Sequence, residues 1–141
     1  MKSLLRYPGG KTRALKWFTP YFPKDIKEMV SPFFGGGSIE IYYASQRVLV
    51  HGYEIFEPLV NFWQHALDDP EHMAETLESL FHPCTEEMFR KYQEKHSNTR
   101  MDSTHRHYKQ YRACMYYALN RSSFSGATTS GGYSCLLYTS P

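Results

Sequence analysis

Apolar positions along the chain follow two different periods. In the first sixty residues they come as short runs that stop at glycine or at an acid: Glu28-Met29-Val30 runs into Ser31-Pro32-Phe33-Phe34-Gly35-Gly36-Gly37-Ser38, and Val48-Leu49-Val50-His51-Gly52-Tyr53 ends at Glu54. Such runs read as buried strands, and Ser38-Ile39-Glu40-Ile41-Tyr42-Tyr43-Ala44 between them is compatible with a helix, so the stretch predicts a β-α-β unit. Before it, Thr12 to Phe18 reads as a short helix ended near Pro20. From Glu57-Pro58 onward the spacing becomes helical, through Leu59, Val60, Phe62, Trp63 and Leu67 and then over Pro70–Phe81, Thr85–His96 and His105–Asn120. The last places Tyr108, Tyr111, Met115 and Leu119 on one face, and no strand signal interrupts the series.

The glycines carry the first chemical information. At a strand's carboxyl end they permit positive φ and close approach of a ligand to the backbone, while the next helix offers free N–H groups. A nucleotide-like ligand is the expectation, against a bare surface turn. The dinucleotide fingerprint would require glycine or alanine three places after Gly37, where this chain has Glu40, a carboxylate that a pyrophosphate would repel. Glu54 ends the second predicted strand 17 residues after Gly37 (54 − 37), the place and distance at which a carboxylate accepts hydrogen bonds from a ribose diol. Leu4-Leu5-Arg6-Tyr7-Pro8-Gly9-Gly10-Lys11-Thr12 contains G-K-T, but a phosphate-binding loop would need glycine where Leu5 stands. What remains is a backbone bend that presents Lys11.

Composition changes this picture only modestly. With 141 residues, 41% of them hydrophobic and 16% aromatic, the chain suits an ordinary folded domain and excludes a disordered one. A net charge of +2 announces no partner, yet the charge is uneven. Residues 1–60 hold eight Lys/Arg against five Asp/Glu, residues 61–100 four against eight, and residues 101–134 four against one. Cys84, Cys114 and Cys135 lack C-x-x-C spacing and read as small buried hydrophobes of a reducing cytoplasm. No signal segment or long apolar span is visible. His105 and His107, two apart on a helix, point in different directions and are expected to be solvated beside Arg106 and Lys109, so no metal site is expected.

Phe33 to Gly37, F-x-G-x-G, resembles motif I of S-adenosylmethionine-dependent methyltransferases, whose cofactor has no phosphate and tolerates Glu40. L-R-Y-P-G-G-K, S-P-F-F-G-G-G-S and Y-E-I-F-E-P-L together resemble, in order and spacing, the opening motifs of the Dam-like, D12 class adenine-specific DNA methyltransferases. The resemblance spans most of residues 4–134. It implies an α/β fold: the start of a Rossmann-like S-adenosylmethionine-dependent methyltransferase domain over residues 1–66, with an inserted, mainly helical target-recognition domain over 67–134. It implies that Tyr7, Lys11, Phe34, Gly35, Gly36, Gly37 and Glu54 bind the cofactor, Glu54 through the ribose, and that Arg6 contacts DNA. The family's motif I opens with Asp or Glu where this chain has Ser31, so a strand-end carboxylate is missing.

Asn120-Arg121-Ser122-Ser123-Phe124-Ser125-Gly126 resembles the same family's N-R-x-x-[YF]-x-G segment, the start of a DNA-probing loop. An enzyme that modifies an amino group on a base edge must take the base out of the stack, and an inserted aromatic can fill the gap. The resemblance thus assigns Asn120, Arg121, Phe124, Ser125 and Gly126 to DNA, Phe124 as the inserted ring. The competing reading makes Phe124 a core residue. The following Gly126 to Ser134 is expected to be a flexible hairpin or loop, with Thr129 where the prototype has a guanine-reading arginine. Cys135-Leu136-Leu137-Tyr138-Thr139-Ser140-Pro141 resembles a translated transposon-end sequencing adapter, so residues 135–141 are expected to be foreign and the catalytic D-P-P-Y-type motif, absent here, to lie downstream. The expected function is methyl transfer from S-adenosylmethionine to the N6 of a flipped adenine in double-stranded DNA, by a cytoplasmic monomer of bacterial or phage origin without metal or membrane. The alternatives are a methyltransferase of another substrate class, such as RNA, and a non-catalytic binding fragment.

Overall fold

The computed structural model describes residues 2–98 and 105–134, so Cys135 and the adapter-like tail lie outside the described residues. The chain forms two compact units, Met1–Ile55 and Phe56–Pro141.

In the first unit a short helix, α1 (Leu15–Phe18), leads through a 3-10 turn, Thr19–Tyr21, to strand β1 (Glu28–Ser31), helix α2 (Ser38–Ser45) and strand β2 (Leu49–Gly52). The strands pair in parallel, Glu28 opposite Leu49 and Ser31 opposite Gly52, which makes β1-α2-β2 the expected β-α-β unit. The expected helix from Thr12 shrinks to four residues, because the Lys11 carbonyl accepts from the N–H groups of both Ala14 and Leu15 at 2.9 Å and holds residues 12–14 in turns. Leu5 and Tyr43 are buried, but Val30 (63% exposed), Leu49 and Ile55 face solvent. Parallel strands normally bury both faces. Here the two strands leave apolar side chains uncovered among the described residues.

The second unit is helical: α3 (Glu57–Asp68), α4 (Pro70–Thr76), α5 (Glu86–Asn98) and α6 (Arg106–Ser122). Pro58 near the start of α3 uses a position whose missing N–H costs nothing. Leu59, Phe62, Trp63 and Ala66 then recur at helical spacing and are buried. Asp69 separates α3 from α4 and caps the latter, its carboxylate accepting from the His72 N–H at 3.1 Å. The predicted helix to Phe81 instead finishes as a π-helical turn, Leu77–Phe81. That wider turn brings Phe81 into the core, 4.9 Å from the Tyr92 ring and 5.1 Å from Tyr111. Helix α6 is the centre of the unit. Its Ala113, Cys114, Met115, Tyr116, Ala118 and Leu119 are all buried, a wider face than the stripe read from sequence. Phe62 of α3 stacks on Tyr117 at 5.6 Å, and the Asn61 amide donates to the Lys109 carbonyl at 2.9 Å. Helix α3 therefore packs with the helices that follow it, and the two compact units part at Ile55.

Cys84 and Cys114 are buried thiols outside any disulfide; burial raises the pKa of both, that of Cys114 to about 11. His105 and His107 are exposed. His96 is the unusual histidine, 3% exposed and 5.8 Å from the Tyr116 ring. Burial, aided by the nearby Arg112 charge, lowers its pKa from 6.5 to about 4. Between those values the unfolded chain binds a proton that the folded chain refuses, so the stabilisation is complete above 6.5 and is lost as pH falls towards 4. The full loss is on the order of 3 kcal/mol. Denaturant unfolding near pH 7 and near pH 5 should show the wild-type protein losing more stability than His96→Leu.

Candidate functional site

The glycine turn between β1 and α2 is held from several sides. The Phe34 N–H donates to the Tyr53 carbonyl and the Gly37 N–H to the Phe34 carbonyl, both at 2.9 Å, and the Ser3 hydroxyl donates to the Gly36 carbonyl. Gly35 and Gly37 have φ of +53° and +68°, left-handed values that glycine adopts without strain. At the end of β2, Glu54 accepts from the Gly35 N–H through Oε2 and from the Ile55 N–H through Oε1, each at 2.9 Å. The carboxylate expected to bind a ribose thus also clamps the turn.

Close approach to the glycine backbone is partly satisfied from within the chain. A Cβ on Gly36 would lie 2.7 Å from the Tyr7 Cβ, and one on Gly35 would lie 3.2 Å from the Tyr7 ring. Tyr7 opens a Tyr7-Pro8-Gly9-Gly10 turn, closed by the Gly10 N–H to the Tyr7 carbonyl at 2.8 Å with Gly9 at φ +74°, where proline then glycine suit a type II turn. Lys11 folds back, its Nζ donating to the Gly9 carbonyl at 2.8 Å. Together Tyr7, Gly9, Gly10, Lys11 and the turn from Phe33 to Glu40 line a cleft of about 270 Å³. That is close to the lower size of small-molecule sites. All seven residues expected at the cofactor fall in this first unit, and six of them, Tyr7, Lys11, Phe34, Gly35, Gly36 and Gly37, line the cleft itself; Glu54 reaches it through its bond to Gly35. Arg6, half-buried, directly precedes the turn.

Two features were missed in the sequence. Ser31, which stands in for the motif I acid, donates its hydroxyl to the carboxylate of Glu40, and both residues are buried. Gly52 lies under Phe34, where a Cβ would penetrate the ring, so the turn and β2 are matched by the absence of a side chain.

The second unit holds the other group. Asn120 is only 1% exposed and its amide donates to Thr128 Oγ1 at 3.0 Å and towards the Gly126 carbonyl at 3.5 Å. The Ser123 hydroxyl accepts from the Thr128 N–H at 2.8 Å, and Ser123 bridges antiparallel to Tyr133. From α5, the Gln93 amide donates to the carbonyls of Thr128 and Gly131, at 3.3 and 2.9 Å. The stretch expected as a flexible loop is therefore tied down by buried polar contacts, with Gln93 as an anchor no local motif announced. Asn120 and Gly126 are buried and shape the loop. Phe124 is 68% exposed in this chain, and Ser125 beside it is exposed at φ +52°. Arg121 borders an apolar cleft of about 500 Å³ with Leu77, Phe81 and Tyr117. Among the described residues no group of His, Cys, Asp and Glu could hold a metal ion, and no helix is long and apolar enough to cross a membrane.

A glycine turn clamped by the next strand's carboxylate lines a cleft at the end of a β-α-β unit, and a helical unit that displays an aromatic on a braced loop follows it in sequence. The sequence model of the D12 class N6 adenine-specific DNA methyltransferases matches residues 7–135, and the chain belongs to that family. It is also similar to the type II methyltransferase M.MjaIII of Methanocaldococcus jannaschii, 30% identical over 89 residues. That match covers 57% of this chain and 30% of the relative's length.

Gly52→Ala forces the Phe34 ring to move and should cost about 1–3 kcal/mol by thermal or denaturant unfolding. Gly132→Ala, where an added Cβ meets nothing within 4 Å, is the matched control and should leave stability nearly unchanged.

Proposed function

We propose that the chain forms the cofactor-binding start and the DNA-reading helices of an adenine-specific DNA methyltransferase. The observation that carries this is the Glu54 clamp on Gly35, which joins the strand-end acid to the glycine turn in one cleft. The residues fit S-adenosylmethionine: the Glu54 carboxylate stands at the strand end beside the glycine turn, where a ribose diol could donate to it, and Tyr7 and the glycines form a wall of the cleft. Bound there, the cofactor would supply an electrophilic methyl group on a sulfonium sulfur for the exocyclic amine of adenine.

This chain's residues then do the binding and positioning. Tyr7, Lys11, Phe34, Gly35, Gly36 and Gly37 shape the cleft, and Glu54 orients the ribose. Arg6 and Arg121 meet the DNA, and Phe124 with Ser125 fills the space that a flipped adenine vacates in the duplex. Asn120 and Gly126 keep that loop in shape. Residues 1–66 serve a Rossmann-like catalytic domain and residues 67–134 its inserted recognition domain, in a monomeric, metal-independent cytoplasmic enzyme of a bacterium or phage. No D-P-P-Y or N-P-P-Y segment occurs in the 141 residues, so none of them is assigned to holding the target amine.

Two substitutions in the full-length enzyme separate the roles. Glu54→Gln keeps an acceptor for the Gly35 N–H but loses charge-assisted bonds to the ribose, worth about 1.5–3 kcal/mol. Calorimetry should show S-adenosylmethionine affinity reduced about ten- to a hundredfold, with DNA affinity unchanged. Phe124→Ala should leave the cofactor alone and reduce 2-aminopurine fluorescence on duplex binding, since a stacked ring contributes roughly 1–3 kcal/mol. Methyl transfer to RNA with no affinity for duplex DNA would favour the other substrate class.

A further inference from the structure

Glu40 is a buried carboxylate that forms no ion pair among the described residues. It is 6% exposed, lies in the first turn of α2 and lines the same cleft as Tyr7, Lys11 and the glycines. One carboxylate oxygen accepts the Ser31 hydroxyl. The ion pairs found among the described residues use Glu28, Glu86, Glu87 and Asp68, and none uses Glu40. Lys11, the one cation among the described residues lining the cleft, spends its ammonium on the Gly9 carbonyl. Burying a carboxylate is costly unless charge or hydrogen bonds compensate it. A single hydroxyl and the positive end of a helix supply only part of that compensation. A ligand that brings its own cation would complete it.

We infer that Glu40 is the counter-charge for the α-ammonium of the cofactor's methionine part, with Ser31 as a positioning residue that fixes the carboxylate; this rests on the cofactor reading proposed above. The ammonium is chosen over the sulfonium because it has N–H donors, and a carboxylate binds such a charged donor directly and strongly. The arrangement divides the ligand between two acids. Glu54 at the end of β2 serves the uncharged ribose, and Glu40 at the start of α2 serves the charged tail. Cofactor binding would then also neutralise a charge that the fold leaves buried.

Three ligands test this on the full-length protein by calorimetry: S-adenosylmethionine, S-adenosylhomocysteine, which keeps the ammonium but not the sulfonium, and 5′-methylthioadenosine, which has neither. Glu40→Gln should weaken the first two alike, about ten- to a hundredfold, and leave the third unchanged, which also shows that the variant is folded. Ser31→Ala should show the same pattern with a smaller loss, because the carboxylate remains but is less well held. Loss confined to S-adenosylmethionine would assign Glu40 to the sulfonium and overturn the inference. Equal loss for all three, or no loss for any, would overturn it as well. Wild-type protein that binds none of the three would overturn the cofactor reading itself, an outcome distinct from normal binding by an unaffected Glu40→Gln.

Discussion

The first unit depends on the carboxylate of Glu54 reaching across to the Gly35 N–H. A strand end and a loop in left-handed backbone are each weakly determined alone, since a turn of glycines loses more chain entropy on folding than any other. A charge-assisted bond between them fixes both, and the second oxygen, on the Ile55 N–H, fixes the direction of the acid itself. On the proposed reading, ligand chemistry and loop geometry share one side chain. Whatever moves Glu54 moves the floor of the cleft.

Packing reinforces that bond from both sides. Tyr7 stands against Gly35 and Gly36, and Phe34 lies over Gly52. Three segments far apart in sequence meet at surfaces where one of the two partners has no side chain. This explains why the glycines cluster as they do: some serve backbone conformation, as Gly35 and Gly37 do, while Gly36 and Gly52 make room for the chain's own aromatics.

Much of this was legible in the sequence where the signal is local. The runs Glu28–Val30 and Val48–Glu54 announce strands by apolar content and an abrupt stop, and Pro58 followed by Leu59, Val60, Phe62, Trp63 and Leu67 announces a helix, although Leu67 is exposed and Ala66 takes the buried place. The π turn at Leu77–Phe81 was not legible, because it follows from where Tyr92 and Tyr111 place the core and not from local preference. Glu40 was read only as an obstacle to phosphate. Its pairing with Ser31 spans the turn, and nothing in a one-dimensional pattern says that residues nine apart meet inside. Gln93 is a similar case, a polar residue on an amphipathic helix whose partners lie more than thirty positions downstream.

If the loop reads DNA as proposed, the clasp of Gln93 on the carbonyls of Thr128 and Gly131 bears on how its target could change. The loop that displays Phe124 is not an independent module that can be exchanged at will, because its shape is partly written on α5. New residues between Ser125 and Ser134 could alter what the loop reads only if they returned two carbonyls to the same amide. Retargeting would then proceed most readily at the outward-facing tip, with the backbone path kept and the side chains varied.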